Sequence, residues 1–221
     1  MFKAIIFDLD DTLIDFRERK KVLIKRSVEA MIKAGLEEDP IGLYDEFNKF
    51  YWDTGIEDQN IFEKFLAKKY GHVDYRVLAH AIIAYRRANA LLLKPYPNVI
   101  EVLDKLKKNG IKLAILSDAP KLAAYTRLVE VGMDELFDVI ITFDDVLEIK
   151  PSIKGFKMVI EQLDVNKEEC LMVGDNPDRD VIGAKKFGMK ICLARYEREL
   201  KADVDYSIND VKELLDIVKD N

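Results

Sequence analysis

The sequence predicts an α/β protein, in which a doubly wound parallel sheet carries an inserted all-helical domain. Three short apolar runs end shortly before Asp8, Asp118 and Asp175. A short apolar run that is bounded by polar residues is typical of a buried strand in a parallel sheet. From residue 94 onwards, apolar runs of strand length alternate with helical patterns. Residues 16–93, in contrast, contain helical spacing and no convincing strand.

Each predicted element has a local signal, either an apolar run of strand length or apolar residues at helical spacing. In chain order the predicted elements are a strand at 2–8, the helical block at 16–93, a helix from Val99 to Asn109-Gly110, a strand at 111–116, a helix at 120–131, a strand at 139–142, a helix carrying Phe156, Val159, Ile160 and Leu163, a strand at 170–173, a helix at 178–187, a strand at 189–193, and a final helix carrying Val211, Leu214, Leu215 and Val218. This alternation predicts a Rossmann-like sheet with right-handed crossovers.

The domain boundaries follow from this change of pattern. Residues 1–15 and 94–221 are predicted to form the α/β core domain, and residues 16–93 a helical domain of about four helices. The segment Lys94-Pro95-Tyr96-Pro97-Asn98 marks the return to the core, because two prolines in three residues fix an extended linker.

Composition limits the partners and the compartment. A net charge of −6 argues against nucleic acid and anionic membranes as partners, and no apolar run is long enough to span a bilayer. No signal peptide is expected at the start of the chain. Cys170 and Cys192 lie in predicted buried strands, so two reduced core thiols and a cytoplasmic location are expected. The sequence does not fix the oligomeric state.

The three acids that follow strands predict a single site. In open α/β sheets, ligands bind beyond the carboxyl ends of the strands. Carboxylates delivered there by several strands would form an acidic pocket, and oxygen ligands of this kind suit a hard cation such as Mg²⁺.

Four motifs in this order resemble those of the haloacid dehalogenase superfamily, and the likeness covers almost the whole chain. Asp8-Leu9-Asp10-Asp11-Thr12-Leu13 resembles its DxDxT signature. Ser117 after an apolar strand, Lys150 before a helix, and the GDxxxxD pattern of residues 174–180 match the second, third and fourth motifs. Residues 16–93 resemble the helical cap domain of the family.

The resemblance implies a Mg²⁺-dependent phosphatase that hydrolyses small phosphorylated metabolites through an aspartyl-phosphate. In this interpretation Asp8 is the nucleophile, and Asp10 is the general acid and later the general base. Mg²⁺ would be held by Asp8, the backbone carbonyl of Asp10, and Asp175.

The same resemblance assigns the phosphate pocket to Ser117, the amide of Asp118, and Lys150. Asp180 would not contact the phosphate itself, but would orient Lys150 or a metal-bound water. Asp118 departs from the commonest pattern, in which Asn is frequent. A carboxylate there would repel phosphate unless its side chain points away and only its amide contributes.

Several alternatives remain. Within the family the chain could be a phosphomutase or a haloacid dehalogenase, although Asp10, Asp11 and Asp175 argue against the latter because a halide leaving group needs no general acid. A non-catalytic binding protein on this fold is the alternative from another class.

Each site residue also has a purely structural interpretation. Asp8 and Asp10 could be solvated acids of a turn, Asp175 and Ser117 could be helix N-caps, and Lys150 and Asp180 could be surface charges. In the helical domain, His72 and His80 are interpreted as solvated or packing residues. Tyr44, Tyr51 and Trp52 could line the inner face of the cap, but a core position is preferred. Arg17, Arg19, Lys20 and Lys21 could steer anionic substrates, but a solvated helix face is preferred.

Overall fold

The computed structural model describes residues 1–54, 58, 60–196 and 198–219. The chain divides into two compact units. The core unit comprises Met1–Asp15 and Lys94–Asn221, and the helical unit comprises Phe16–Leu93. Residues 55–57 and 59 of the predicted helical domain lie outside the described residues.

The core unit is built on a parallel sheet, as the sequence predicts. Its described strands are β1 (Ala4–Phe7), β2 (Lys112–Leu116), β3 (Val139–Ile141), β4 (Cys170–Gly174), β5 (Lys190–Ala194) and β6 (Tyr206–Ile208). They lie in the order β3-β2-β1-β4-β5-β6, and every pair is parallel. The chain therefore builds one half of the sheet outwards from β1 to β3 and then returns to the other side of β1.

The strand β1 lies in the middle of the sheet, where a neighbouring strand pairs with each of its two edges. Ile6 pairs in register with Ala114 of β2 on one side and with Met172 of β4 on the other. All four residues of β1 have no exposed surface, which explains the unbroken apolar run in the sequence.

The strands of the core unit are connected by helices. They are α5 (Val99–Lys108), α6 (Lys121–Glu130), α7 (Phe143–Val146), α8 (Ile153–Leu163), α9 (Ile182–Phe187) and α10 (Leu214–Lys219). The predicted helix at 178–187 is a π-helical turn, Pro177–Val181, followed by α9, and the C-terminal helix starts with a 3₁₀ turn, Val211–Glu213. Strand β6 and helix α7 were not predicted, because three and four residues are too few to show a period.

The helical unit contains four described helices: α1 (Phe16–Lys33), α2 (Pro40–Thr54), α3 (Ile61–Tyr70) and α4 (Tyr75–Leu92). Its core is aromatic, with Phe47 stacked on Phe62 and edge-on to Phe65. Tyr51 is buried among them, in agreement with its interpretation as a packing residue. No helix in the described part of the chain is both long and apolar enough to cross a membrane.

The solvated face preferred for the basic cluster of α1 is wrong for two of its four residues. Arg17 and Lys21 are exposed, but Arg19 and Lys20 are buried. Arg19 donates to the Asn89 side chain at 2.6 Å, and the Lys20 ammonium lies 2.5 Å from the Tyr85 hydroxyl. Aromatic rings around a lysine can stabilise its charge, so the charge of Lys20 alone does not show that it faces water.

Candidate active site

Two neighbouring strands deliver acids to one point at their carboxyl ends. Asp8 follows β1 and Asp175 follows β4. The backbone amide of Asp8 donates to the carbonyl of Val173 at 2.9 Å, so the hydrogen bonding of the sheet continues up to the site. The winding of the sheet changes direction between β1 and β4, which is the place where open α/β sheets bind ligands.

A third carboxylate completes a buried acidic cluster. Asp8, Asp175 and Asp180 each offer an oxygen within 4.8 Å of the others, and all three are buried. Burial, followed by the charge of Asp180, raises the pKa of Asp175 to about 6. Burial also raises the pKa of Asp8 well above its usual range, with smaller contributions from Asp180 and Asp175. Burial and mutual repulsion therefore outweigh the nearby positive charges of Lys150, beside Asp8, and Arg198, beside Asp175.

This donor set fits a hard divalent cation. Carboxylate oxygens are the ligands that Mg²⁺ takes in proteins, and a cation between the three side chains would relieve their mutual repulsion. The ligand set predicted from the sequence, Asp8, the carbonyl of Asp10, and Asp175, stays a prediction. The structure adds that Asp180 lies within reach of the same point.

Lys150 supplies one positive charge inside the cluster. Its ammonium lies 2.5 Å from Asp8 Oδ1, 2.8 Å from Asp180 Oδ1, and 2.9 Å from the carbonyl of Leu116. Burial alone would lower the pKa of Lys150, but the carboxylates of Asp180 and Asp8 outweigh it and raise the pKa above its usual range. Lys150 therefore stays charged, and Asp180 is placed to orient it.

Both carboxylate oxygens of Asp118 have partners other than the predicted phosphate pocket. Its Oδ1 accepts a hydrogen bond from the backbone amide of Lys150 at 2.8 Å, and its Oδ2 lies 3.4 Å from Arg179 Nη1. The acid that departs from the commonest motif thus ties the segment before Lys150 to the end of β2. Its charge is shared with a partly exposed arginine.

Ser117 is buried at the end of β2. Its backbone amide donates to the carbonyl of Ile141 at 2.9 Å, and its Oγ accepts from the amide of Ala119 at 3.1 Å. This bond uses an oxygen lone pair, so the hydroxyl proton can be donated to an anion.

Comparison with known proteins agrees with this geometry. A family model described as a haloacid dehalogenase-like hydrolase matches residues 2–188. The chain belongs to this family.

The relatives of this haloacid dehalogenase-like hydrolase include phosphatases. The glyceraldehyde 3-phosphate phosphatase of Methanocaldococcus jannaschii is 34% identical over 99% of this chain and 98% of its own. The pyrophosphatase PpaX of Halalkalibacterium halodurans is 33% identical over 69% of this chain and 75% of its own. The crystal structure of a phosphatase of the family from Thermococcus onnurineus is 28% identical, covers 98% of both chains, and has a TM-score of 0.72. The predicted family, fold and enzyme class, a phosphatase of this family, are confirmed.

The local environment of the site residues in this haloacid dehalogenase-like hydrolase argues against most of the structural alternatives. Lys150 and Asp180 are buried and are not surface charges. The N-cap after β4 is Asn176, whose side chain accepts from the amides of Asp178 and Arg179, so Asp175 is not needed there. The catalytic and metal-binding roles themselves stay predictions.

Asp10 has a partner that sequence reasoning missed. It lies in the tight turn after β1, in which Asp11 has a positive φ of 60°. Arg127 Nη1 lies 2.7 Å from Asp10 Oδ2, and Arg127 is buried on α6. No local pattern could have indicated this contact, because it depends on how α6 is rotated against the turn.

Arg198 is a second missed residue. Its Nη1 lies 2.8 Å from Asp175 Oδ2, and its Nη2 donates to the carbonyls of Asp11 and Ala194 at 3.2 Å. One side chain thus joins the loop after β5 to the loops of the first and fourth motifs. Because residues 195–200 show no apolar period or motif, the sequence offered no signal for this contact.

Proposed function

We propose that this haloacid dehalogenase-like hydrolase is a Mg²⁺-dependent phosphatase of short phosphorylated metabolites, with Asp8 as its nucleophile. The observation that carries the proposal is the setting of Asp8, whose carboxylate contacts Lys150 and lies beside Asp175 and Asp180. A nucleophile, a fixed cation and a set of metal-binding oxygens are the parts that attack on a phosphate monoester needs.

The first step is attack on phosphorus by an Asp8 carboxylate oxygen. Lys150 holds Asp8 at Oδ1 and can neutralise the phosphate oxygens as their charge changes, while Ser117 donates its hydroxyl proton to the phosphate. The bond from phosphorus to the leaving oxygen breaks as Asp10 gives that oxygen a proton. The products are an aspartyl-phosphate on Asp8 and the alcohol.

The second step returns Asp8 to its starting form. The Asp10 carboxylate takes a proton from a water molecule, which attacks the phosphorus of the aspartyl-phosphate. Inorganic phosphate leaves and Asp10 is protonated again. When bound, Mg²⁺ would supply charge neutralisation of the phosphate and of Asp8. Asp8, the Asp10 carbonyl and Asp175 would hold it, with Asp180 behind them or in direct contact.

Three-carbon phosphate esters are the first substrates to test, because a curated relative that covers almost the whole chain is named a glyceraldehyde 3-phosphate phosphatase. Pyrophosphate is the second, since another relative is named a pyrophosphatase. We also propose a cytoplasmic location, in which Cys170 and Cys192, both free and buried, stay reduced.

The experiment is a panel of phosphate esters with phosphate release measured in Mg²⁺ and in EDTA. We expect short-chain esters to be hydrolysed in Mg²⁺ only, and D8N to lose about 10,000-fold in kcat. D178N is the matched control, because Asp178 is an exposed acid of the same segment, outside the cluster. Isomerisation of a sugar phosphate without phosphate release would favour the phosphomutase alternative, and full activity of D8N would overturn the mechanism.

A further inference from the structure

We propose that Arg127 is a positioning residue that aims the carboxyl group of Asp10 at the leaving oxygen of the substrate. The inference rests on the proposed role of Asp10 as general acid. It assigns a function to a residue that lies in none of the four motifs, on the helix that follows the second motif.

The contact is close and buried. Arg127 Nη1 lies 2.7 Å from Asp10 Oδ2, and the arginine is 5% exposed. Ala124 and Leu128 on the same face of α6 have no exposed surface, whereas Leu122, Tyr125 and Val129 on the opposite face are exposed. Arg127 thus stands where the helix would ordinarily bury an apolar residue. A buried guanidinium is unfavourable unless an acid is paired with it, and Asp10 is an acid in direct contact with Arg127.

Asp10 needs an external support because of where it lies. Asp8 directly follows β1 and is held by the hydrogen bond from its amide to Val173, but Asp10 lies beyond the strand in a turn that Asp11 makes with a positive φ. A turn fixes a side chain less well than a strand or helix does. Arg127 supplies the support from a helix, and a guanidinium restrains the orientation of a carboxylate through directed hydrogen bonds.

The hydrogen bond from Arg127 also gives the two carboxyl oxygens of Asp10 different roles. Oδ2 accepts from Arg127, so the transferred proton is carried by Oδ1. In the first step this proton passes to the leaving oxygen as its bond to phosphorus breaks, and in the second step the attacking water returns a proton to Asp10. Without Arg127 the carboxyl group loses this restraint on its orientation, and proton transfer is sensitive to misplacement of the donor.

A positioning role predicts a specific kinetic signature. An alkoxide is a poor leaving group and must be protonated, whereas p-nitrophenolate leaves without a proton. We therefore compare kcat/KM for glycerol phosphate with kcat/KM for p-nitrophenyl phosphate. In R127M the ratio of the two constants should fall about 10- to 100-fold, within the range that general acid catalysis contributes. R127K should recover most of the ratio, because an ammonium can still bond Asp10.

The ratio is independent of how much of each variant is folded, since both substrates report on the same active molecules. K121M is the matched control, because Lys121 is a cation on the same helix that pairs with Asp145 at 2.5 Å, away from Asp10. Its ratio should equal that of the wild type. In D10N the ratio should fall at least as far as in R127M, and adding R127M to D10N should lower it no further.

Two outcomes separate the inference from the function beneath it. If D10N lowers the ratio and R127M lowers both rate constants equally, Arg127 is structural and the inference is wrong. If D10N itself leaves the ratio unchanged, the proposed general acid is wrong, and the positioning role fails with it.

Discussion

The ammonium of Lys150 lies 2.5 Å from Oδ1 of Asp8, a residue 142 positions earlier in the chain. The contact joins the first and third motifs. It places a buried ammonium against Asp8, which lies beside two further buried carboxylates. Lys150 also contacts Asp180 at 2.8 Å, so one ammonium restrains two acids of the cluster. This arrangement predicts that Lys150 and Asp8 differ in their importance for stability.

Replacing Lys150 should damage both activity and stability. K150M keeps much of the side-chain volume but leaves the acids of the cluster without their contact to an ammonium, and breaking a buried pair in this way costs about 3–5 kcal/mol. D8N should change the free energy of unfolding by only about 1 kcal/mol, because Lys150 keeps Asp180 and the Leu116 carbonyl as partners. Urea denaturation of the metal-free proteins measures both values. Equal destabilisation by the two substitutions would contradict this account.

Gly174 should tolerate no side chain, because a methyl group there would overlap the carboxyl group of Asp180. G174A should push Asp180 away from Lys150, lower the free energy of unfolding by about 1–3 kcal/mol, and weaken Mg²⁺ binding measured by calorimetry. G155A is the matched control, since its methyl group would meet the Leu116 side chain at 2.6 Å instead. It should affect stability alone; a weaker Mg²⁺ affinity in both variants would show that the effect is not specific to Asp180.

How far the sequence predicts the site depends on where each residue lies relative to the sheet. Asp8, Ser117 and Asp175 directly follow apolar strands, so the parallel sheet alone predicts that they meet. Arg127 and Arg198 contact the same site from a helix face and from a loop. Their contacts depend on helix rotation and loop path, which leave no periodic signal.

The fold shows a similar division. The central strand β1 was predictable because it is buried on both faces. Strand β6 (Tyr206–Ile208) was not, because it is short and contains an exposed serine, so it lacks a continuous apolar run. On α1, Arg19 and Lys20 have the same helical spacing as the buried Leu23 and Ile24, but their charge suggested a solvated face. Hydrogen bonds to Asn89 and Tyr85 accompany their burial.

The two cysteines predict how stability changes at high pH. Burial raises the pKa of the Cys170 and Cys192 thiols to about 12, whereas a thiol of the unfolded chain ionises near pH 8.5. Between these values the unfolded chain loses protons that the folded chain keeps. The free energy of unfolding should therefore be unaffected by the thiols at neutral pH, and should fall by about 1.4 kcal/mol per pH unit for each thiol above pH ~9.

Urea denaturation of the wild type and of the variant C170A/C192A at pH 8, 9 and 10 isolates this effect. The cavities left by the two substitutions lower stability at every pH, but they do not change its slope with pH. The curve of the variant should be shallower than that of the wild type. Parallel curves would mean that the thiols ionise as readily in the folded protein as in the unfolded one.

The last prediction concerns Asp118, whose carboxylate lies at the edge of the predicted phosphate pocket. Its Oδ1 accepts from the Lys150 amide, a bond that an asparagine oxygen can also accept. D118N therefore keeps the geometry and removes one negative charge. We expect it to lower KM for a phosphate ester several-fold at low ionic strength and to leave kcat within about twofold, because a charge that repels the substrate is lost.

Two comparisons give this prediction its discriminating power. Added salt should shrink the difference in KM between D118N and the wild type, since salt screens charges that are partly exposed to solvent. D118A should behave in the opposite way: it removes the acceptor for the Lys150 amide, so kcat should fall as Lys150 loses its fixed position. If D118N instead raised KM and lowered kcat as D118A does, the charge of Asp118, through its ion pair with Arg179, would be what holds the pocket in shape.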